Sequence, residues 1–310
     1  MSELDLSILI PVYNECGNIS ALHQNLTAVM TKAGLNYEIL FVDDGSNDGS
    51  TEEIEGLAKN DGRVRAIILR RNFGKSTALS IGFREVRGAS VITMDGDQQD
   101  DPEEIPAFLR KLDEGFDLVS GWKRKRNDPI TKTLPSRIWN WMTARASGVK
   151  LHDFNCGFKA YRQDVVKTVR VYGEMHRYIP VLADRLGFSI GEMPVRHHAR
   201  SIGQSKYGGA RFINGTLDLL TVMFLGTSRK NPLHVFGRIG IALLTIGSLI
   251  CAYMFGVWIV ESALRVRPLL IGGVILIILG IQFISLGLIA EMVVSTNRDD
   301  EEHMISRKLQ

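Results

Sequence analysis

Residues 239–260 (IGIALLTIGSLICAYMFGVWIV) and 269–290 (LLIGGVILIILGIQFISLGLIA) contain no charged side chain. A helix crossing the hydrocarbon core of a bilayer needs ~20 apolar residues, and each run meets that length. A helix of this size in a water-soluble protein would show a polar stripe, whereas the most polar member of the second run is Gln282. The short link ESALRVRP joins them, so the pair predicts a transmembrane hairpin with both chain ends on one side. Arg229, Lys230 and Arg238 precede the first run, and Arg265 and Arg267 lie in the link. That distribution of positive charge is too even to orient the hairpin.

The rest of the 310-residue chain is long enough to bury a substantial core. Its formal charge of +3 gives no bulk attraction to nucleic acid. Cys16, Cys156 and Cys251 lie far apart with neither metal nor disulfide spacing, which fits a reducing, cytosolic face. The opening MSELDLSILIPVYNE carries acidic residues where a secretory signal carries basic ones, so no cleaved signal is expected.

Apolar, β-rich runs occur at 6–13, 37–44, 64–71, 89–95 and 116–122, with helix-like segments near 17–34, 49–60, 75–87 and 102–114. Near-continuous apolar strands alternating with helices predict an α/β domain, a mainly parallel, doubly wound sheet with helices on both faces. Such folds bind ligands at the carboxyl ends of their strands. That edge would gather PVYNE, DDGSNDGS, RNFGKS and DGDQQDD. Two further segments, LPSRIWNWMTARAS (134–147) and RFINGTLDLLTVMFLGTS (211–228), are apolar enough to lie along a bilayer surface. For the first, an ordinary surface helix is the equal alternative.

Asp95, Asp97 and Gln99 would share one side of an extended chain. Their oxygen donors suit Mg²⁺ or Mn²⁺, which takes one or two carboxylates together with substrate phosphates. Asp100 or Asp101, followed by Pro102, Glu103 and Glu104, reads instead as a helix start. Asp43 and Asp44 end a strand, where a carboxylate either accepts hydrogen bonds from a nucleotide or organises a turn. The ending GKST (74–77) is not a P-loop, because Leu69 stands where that motif needs glycine. Lys75, in a basic loop entering a helix, remains suited to a diphosphate.

The ordered set PVYNE (11–15), VDDGSNDGS (42–50), RNFGKSTAL (71–79), DGDQQDDPEE (95–104), DFNCGFKAYR (153–162) and HHARSIGQSKYG (197–208) resembles family 2 glycosyltransferases. More narrowly, it resembles the polyprenyl-phosphate glycosyltransferases, such as dolichyl-phosphate mannose synthases and bacterial undecaprenyl-phosphate glucosyl- or aminoarabinosyl-transferases. The resemblance runs over about residues 5–290, hairpin included, and implies a glycosyltransferase-A-type, Rossmann-like fold. It places Pro11, Tyr13, Glu15, Asp43 or Asp44, Lys75 and Asp95 around a UDP- or GDP-linked sugar. It gives Asp95, Asp97 and Gln99 to the metal and diphosphate, and puts Asp153 near the transferred sugar. Lys123, Arg137, Arg200, Ser205, Lys206 and Tyr207 would hold the lipid phosphate. Many relatives carry Arg at position 123, and Lys lacks its bidentate fork.

The reaction expected on this resemblance is metal-dependent, inverting transfer from a nucleotide sugar to a polyprenyl phosphate. Asp97 and Asp153 are the catalytic candidates. Three rivals fare worse: a polysaccharide synthase would carry Gln-x-x-Arg-Trp and more spans, a nucleotidyltransferase a glycine-rich, arginine-containing loop after the first strand, and a scaffold would not need intact acidic motifs. The expected layout is a cytosolic catalytic domain (1–210), an interfacial segment (211–234), the spans (235–290) and a cytosolic tail (291–310). Gly240, Gly247, Gly272, Gly273 and Gly280 permit close helix packing, and a homo-oligomer is expected.

Overall fold

A computed structural model of the chain describes residues 4–124, 139–145, 147–171, 173, 175–198, 232–261 and 268–296. The chain divides into two compact units, Met1–Val222 and Met223–Gln310. The first follows the alternation read from the sequence. Its elements run β1 (Leu6–Val12), α1 (Ile19–Ala33), β2 (Tyr37–Asp43), α2 (Ser50–Asn60), β3 (Val64–Ile68), α3 (Lys75–Glu85) and β4 (Ser90–Thr93). A 3₁₀ turn (Pro102–Glu104) then leads into α4 (Ile105–Asp113) and β5 (Leu118–Trp122). After a long excursion come β6 (Lys159–Arg162), α5 (Gln163–Thr168), a second 3₁₀ turn (Met175–Tyr178), α6 (Ile179–Arg185) and β7 (Ile190–Pro194).

The seven strands are ordered β3-β2-β1-β4-β6-β5-β7. All neighbours are parallel except β6, which runs antiparallel to both β4 and β5. β1 and β2 are almost wholly buried because both their faces are covered. Ile8 and Ile10 cluster with Leu22 and Leu26 of α1 and Phe108 of α4. On the other face, α3 lies so close that a Cβ on Gly82 would run into the Leu9 side chain. Strand order reverses between β1 and β4, and ligands of open α/β sheets bind at the carboxyl ends beside such a reversal.

The second unit holds α7 (Pro232–Glu261) and α8 (Pro268–Thr296). Within them, Val235–Val260 and Pro268–Ala290 have mean hydropathies of 2.1 and 2.6 and are long and apolar enough to cross a membrane. Side chains such as Ile241, Leu249, Ile281 and Ile289 are exposed, an arrangement that lipid accepts and water does not. The hairpin closes on glycine. A Cβ at Gly240 would meet the Gly280 carbonyl at 2.7 Å, and one at Gly247 would meet that of Gly273 at the same distance. Four of the five glycines singled out in the sequence thus serve packing between the two spans of one chain; Gly272 has no such neighbour.

Of the segment 134–147, residues 139–145 are helical. Asn140 and Thr143 face inward, while Trp141 and Met142 are exposed. Leu134, Arg137, Ile138, the run 211–228 and the acceptor residues Arg200, Ser205, Lys206 and Tyr207 lie outside the described residues.

Candidate active site

β4 ends at Thr93, and Asp95 to Gln99 leave the sheet beside the end of β1. An extended run presenting Asp95, Asp97 and Gln99 together is not what forms. Residues 96–98 make a turn, and Gln98 adopts φ 58°. That left-handed conformation is strained for a residue with a side chain, and such strain concentrates at functional sites. The turn is held from both flanks: Gln98 Nε2 donates to the carbonyl and side-chain oxygens of Asn18, while Gln99 N donates to Asp97 Oδ1 and its Nε2 to the His198 carbonyl. Asn18 in turn donates to Glu15 Oε2, joining the turn to the PVYNE loop.

Asp95 pairs with the Lys75 ammonium at the first residue of α3. Burial by itself would raise the Asp95 pKa; Lys75 and then Lys123 overcome it and bring it down to about 2. Lys123, at the end of β5, lies 3.1 Å from the fully buried Asp100. Burial disfavours its charge, but Asp100 and, more weakly, Asp95 hold its pKa above the ordinary lysine value. The four groups make an alternating ladder of charge, Lys75, Asp95, Lys123 and Asp100. Lys75 thus pairs with Asp95 and Lys123 with Asp100, and the two pairs meet where Asp95 N donates to Asp100 Oδ2 at 3.4 Å.

Asp100 does not start the following helix. Asp101 is the cap, its Oδ1 accepting the Glu103 N–H at 3.0 Å. It also meets His198 and Arg196, and His198 N donates to the Gln99 carbonyl. The two acids of VDDG are likewise organisers. Asp43 accepts from Ser46 N, Ser46 Oγ and Thr51 Oγ1, and Asp44 accepts from the N–H groups of Phe73 and Gly74, at 2.7 and 2.8 Å. Turn chemistry therefore accounts for their carboxylates, and Asp44 fixes the loop that carries Lys75.

A pocket behind Asp95 is lined by Pro11, Lys75, Lys159, His176, Arg177 and Asn155, among others. Lys159, the first residue of the antiparallel β6, is buried with its Nζ on the Cys156 carbonyl, and burial lowers its pKa. Ser76 Oγ accepts the His176 N–H and lies 2.9 Å from Nδ1. Burial first, then Lys75, push the His176 pKa well down, which favours the neutral ring. Asp153 is buried, its Oδ1 accepting the Asn155 N–H at 3.1 Å. Burial pushes the Cys156 thiol up to about 12, which suits a structural rather than a reactive cysteine. Lys159, His176 and Arg177 escaped the sequence reading. A lone lysine beginning a short strand and a His-Arg pair in a 3₁₀ turn carry no spacing signal.

Among the described residues no group of three or more His, Cys, Asp or Glu side chains converges as a metal site. The oxygen donors of Asp97 and Gln99 nonetheless suit a hard cation whose remaining ligands come from substrate phosphates.

Residues 7–170 match the family model described as Glycosyl transferase family 2. The chain belongs to glycosyl transferase family 2. It is 38% identical over 307 residues to a dodecaprenyl-phosphate galacturonate synthase of Rhizobium johnstonii (strain DSM 114642 / LMG 32736 / 3841), covering 97% of this chain and 91% of that one. It is 36% identical over 293 residues to an undecaprenyl-phosphate 4-deoxy-4-formamido-L-arabinose transferase of Shewanella sediminis (strain HAW-EB3), covering 93% and 86%. In fold, this glycosyltransferase resembles glucosyl-3-phosphoglycerate synthase from Mycobacterium tuberculosis, solved with Mn²⁺ and UDP-glucose. The TM-score is 0.53 at 19% identity, over 72% of this chain and 79% of that one.

Proposed function

We propose that this glycosyltransferase moves a sugar from a UDP- or GDP-linked donor to the phosphate of a membrane polyprenol, with inversion at the anomeric carbon. One observation carries the reading. The ladder of Lys75, Asp95, Lys123 and Asp100 stands at the carboxyl edge of the sheet, in a chain that also has two bilayer-length helices. Relatives aligned along more than nine-tenths of the chain are named for transfer to dodecaprenyl and undecaprenyl phosphate, which supports the same acceptor class.

A phosphomonoester has its second pKa near ~6 and is largely a dianion at neutral pH, so it needs no strong base to attack. Its oxygen bonds to the anomeric carbon as the bond from that carbon to the diphosphate oxygen breaks, and the nucleoside diphosphate departs with the electron pair. Pro11, Tyr13 and Glu15 border the nucleotide, and Asp43 and Asp44 shape the loops beside it. Lys75 offers positive charge to the diphosphate, and Asp153 faces the sugar. Asp95, Asp97 and Gln99 would hold a Mg²⁺ or Mn²⁺ ion, which would supply neutralising charge to the leaving diphosphate. Lys123, with Arg137, Arg200, Ser205, Lys206 and Tyr207, receives the lipid phosphate and aligns it in line.

Nucleotide sugars are cytosolic, so residues 1–210 and both chain ends face the cytoplasm, with 261–268 across the membrane. Exposed Trp141 and Met142 suit a headgroup layer, and the enzyme assembles as a homo-oligomer. The test is a panel of labelled nucleotide sugars with purified protein, Mg²⁺ or Mn²⁺, and undecaprenyl or dolichyl phosphate. Lipid-extractable label that requires the polyprenyl phosphate is expected, and its absence across the panel would overturn the reading. Asp97→Ala is expected to abolish transfer at saturating Mn²⁺ while the protein stays folded; near-normal turnover would remove the metal role.

A further inference from the structure

β7 is the edge strand beside β5, and it places Glu192 opposite Ser120. The Glu192 side chain is 12% exposed and makes three bonds to the turn that carries Asp153. Oε1 accepts the N–H of His152 at 2.8 Å and that of Asp153 at 3.2 Å. Oε2 lies 2.7 Å from His152 Nδ1. Two consecutive amides converging on one anionic oxygen form a small backbone nest, and charge-assisted bonds of this kind are about twice as strong as neutral ones.

The clamp extends sideways. The His152 ring stacks on Trp122, with centroids 4.2 Å apart and planes 16° from parallel. Trp122 ends β5 and precedes Lys123, the cation paired with Asp100. Asn140 Nδ2 bonds the His152 carbonyl at 3.0 Å, fixing the far side of the same peptide. The carboxylate on β7 therefore sets where the backbone of Asp153 sits, and reaches the neighbourhood of Lys123 through one stacked ring.

We propose that Glu192 is a positioning residue for sugar transfer, acting by holding the His152–Asp153 peptide so that the Asp153 carboxylate keeps its place in the site. This rests on the reading, given above, that Asp153 faces the transferred sugar. Glu192 itself touches no substrate. Its removal frees two amide N–H groups and the His152 ring together, and misplacement by ~1 Å in an active site costs up to about 100-fold in rate.

The experiment uses the full-length enzyme, undecaprenyl phosphate and whichever donor of the panel labels lipid. Glu192→Ala is expected to lower kcat by about 10- to 100-fold, with both KM values within about twofold of wild type because the binding residues are untouched. Glu192→Gln keeps an oxygen facing both amides and is expected to retain kcat within about threefold. Hydrogen exchange at the amides of His152 and Asp153 is expected to accelerate in Glu192→Ala while that of β1 and β2 stays unchanged. In a double-mutant cycle, Glu192→Ala added to Asp153→Asn is expected to cost little more, since the clamp then has no carboxylate to hold.

Unchanged kcat in Glu192→Ala, unchanged exchange at the two amides, or full additivity with Asp153→Asn would each overturn the proposal. If the alanine variant does not fold, Glu192→Asp, which draws the carboxylate back by one methylene, carries the same expectations. A fully active Asp153→Asn enzyme would instead sink the reading of Asp153, and this inference with it. A slow Asp153→Asn beside a normal Glu192→Ala sinks the inference alone.

Discussion

Gly157 backs directly onto Asp95, and adding one methyl group there probes the site without altering any polar atom. A Cβ at Gly157 would lie 2.7 Å from Asp95 Oδ1, 2.8 Å from Oδ2 and 2.9 Å from Cγ. To restore an ordinary contact of 3.4 Å the carboxylate must retreat by about 0.7 Å. Gly157 is not among the glycines with positive φ, so alanine adds crowding without backbone strain. The retreat disturbs the Lys75 pair. Scaled from the cost of a 1 Å misplacement, Gly157→Ala is expected to lower kcat/KM by about 10- to 50-fold, or ~1.4–2.3 kcal/mol. The acid limb of the pH profile is expected to move upward. Burial raises the Asp95 pKa and Lys75 is the main cation lowering it to about 2, so a weakened pair raises it and protonation sets in at higher pH. Initial rates across a Mn²⁺ titration, with thermal unfolding alongside, measure both effects. Wild-type kcat/KM at subsaturating donor would refute the reasoning, as would a loss accounted for entirely by unfolded protein.

In the hairpin, Gly240→Leu would drive a side chain into the Gly280 carbonyl and Ile284 Cγ1, both 2.7 Å from its Cβ. A loss of about 1–3 kcal/mol is expected in detergent unfolding, whereas Gly256→Leu, whose Cβ has no neighbour within 4 Å, is expected to cost far less. Asp61 receives hydrogen bonds from Arg63 and His23, and the Arg63 bonds hold its pKa well below the ordinary carboxylate range despite partial burial. Its contribution to stability is therefore full above the unfolded carboxylate value of about 3.9 and lost as pH falls through the lower folded value. Asp61→Asn is expected to destabilise the catalytic unit at pH 7, with the deficit shrinking below about pH 4 in pH-dependent unfolding.

The parallel half of the sheet was legible because its strands are buried on both faces and so read as unbroken apolar runs, such as ILFV before Asp43. The spans were legible for the same reason on a larger scale. β6 was not, because four residues with two charged ends show no period, and its direction depends on where the excursion after β5 returns. At the site, residue types at strand ends pointed to Lys75, Asp95 and Asp97, and only the family resemblance pointed to Asp153. Sequence could not assign partners. Asp100 and Asp101 look equivalent in DQQDDPEE, yet one meets Lys123 across the sheet edge and the other caps a turn. Gln98 was opaque because its conformation is imposed by Asn18, distant in sequence. Glu192 looks like an ordinary edge-strand acid, since its partners are main-chain amides about forty residues earlier.

The reversed direction of β6 has a consequence for how such enzymes diversify. β5 ends and β6 begins at the same rim of the sheet, so residues 123–158 leave and rejoin the scaffold side by side. Lys123, Arg137 and Asp153 therefore lie on one contiguous excursion, while the loops from Pro11 to Gln99 lie upstream of it. Recombination between relatives with breakpoints at Trp122 and Lys159 would transplant the excursion without cutting any strand of the parallel half. The excursion could thereby vary as a unit while every strand of the parallel half stays intact.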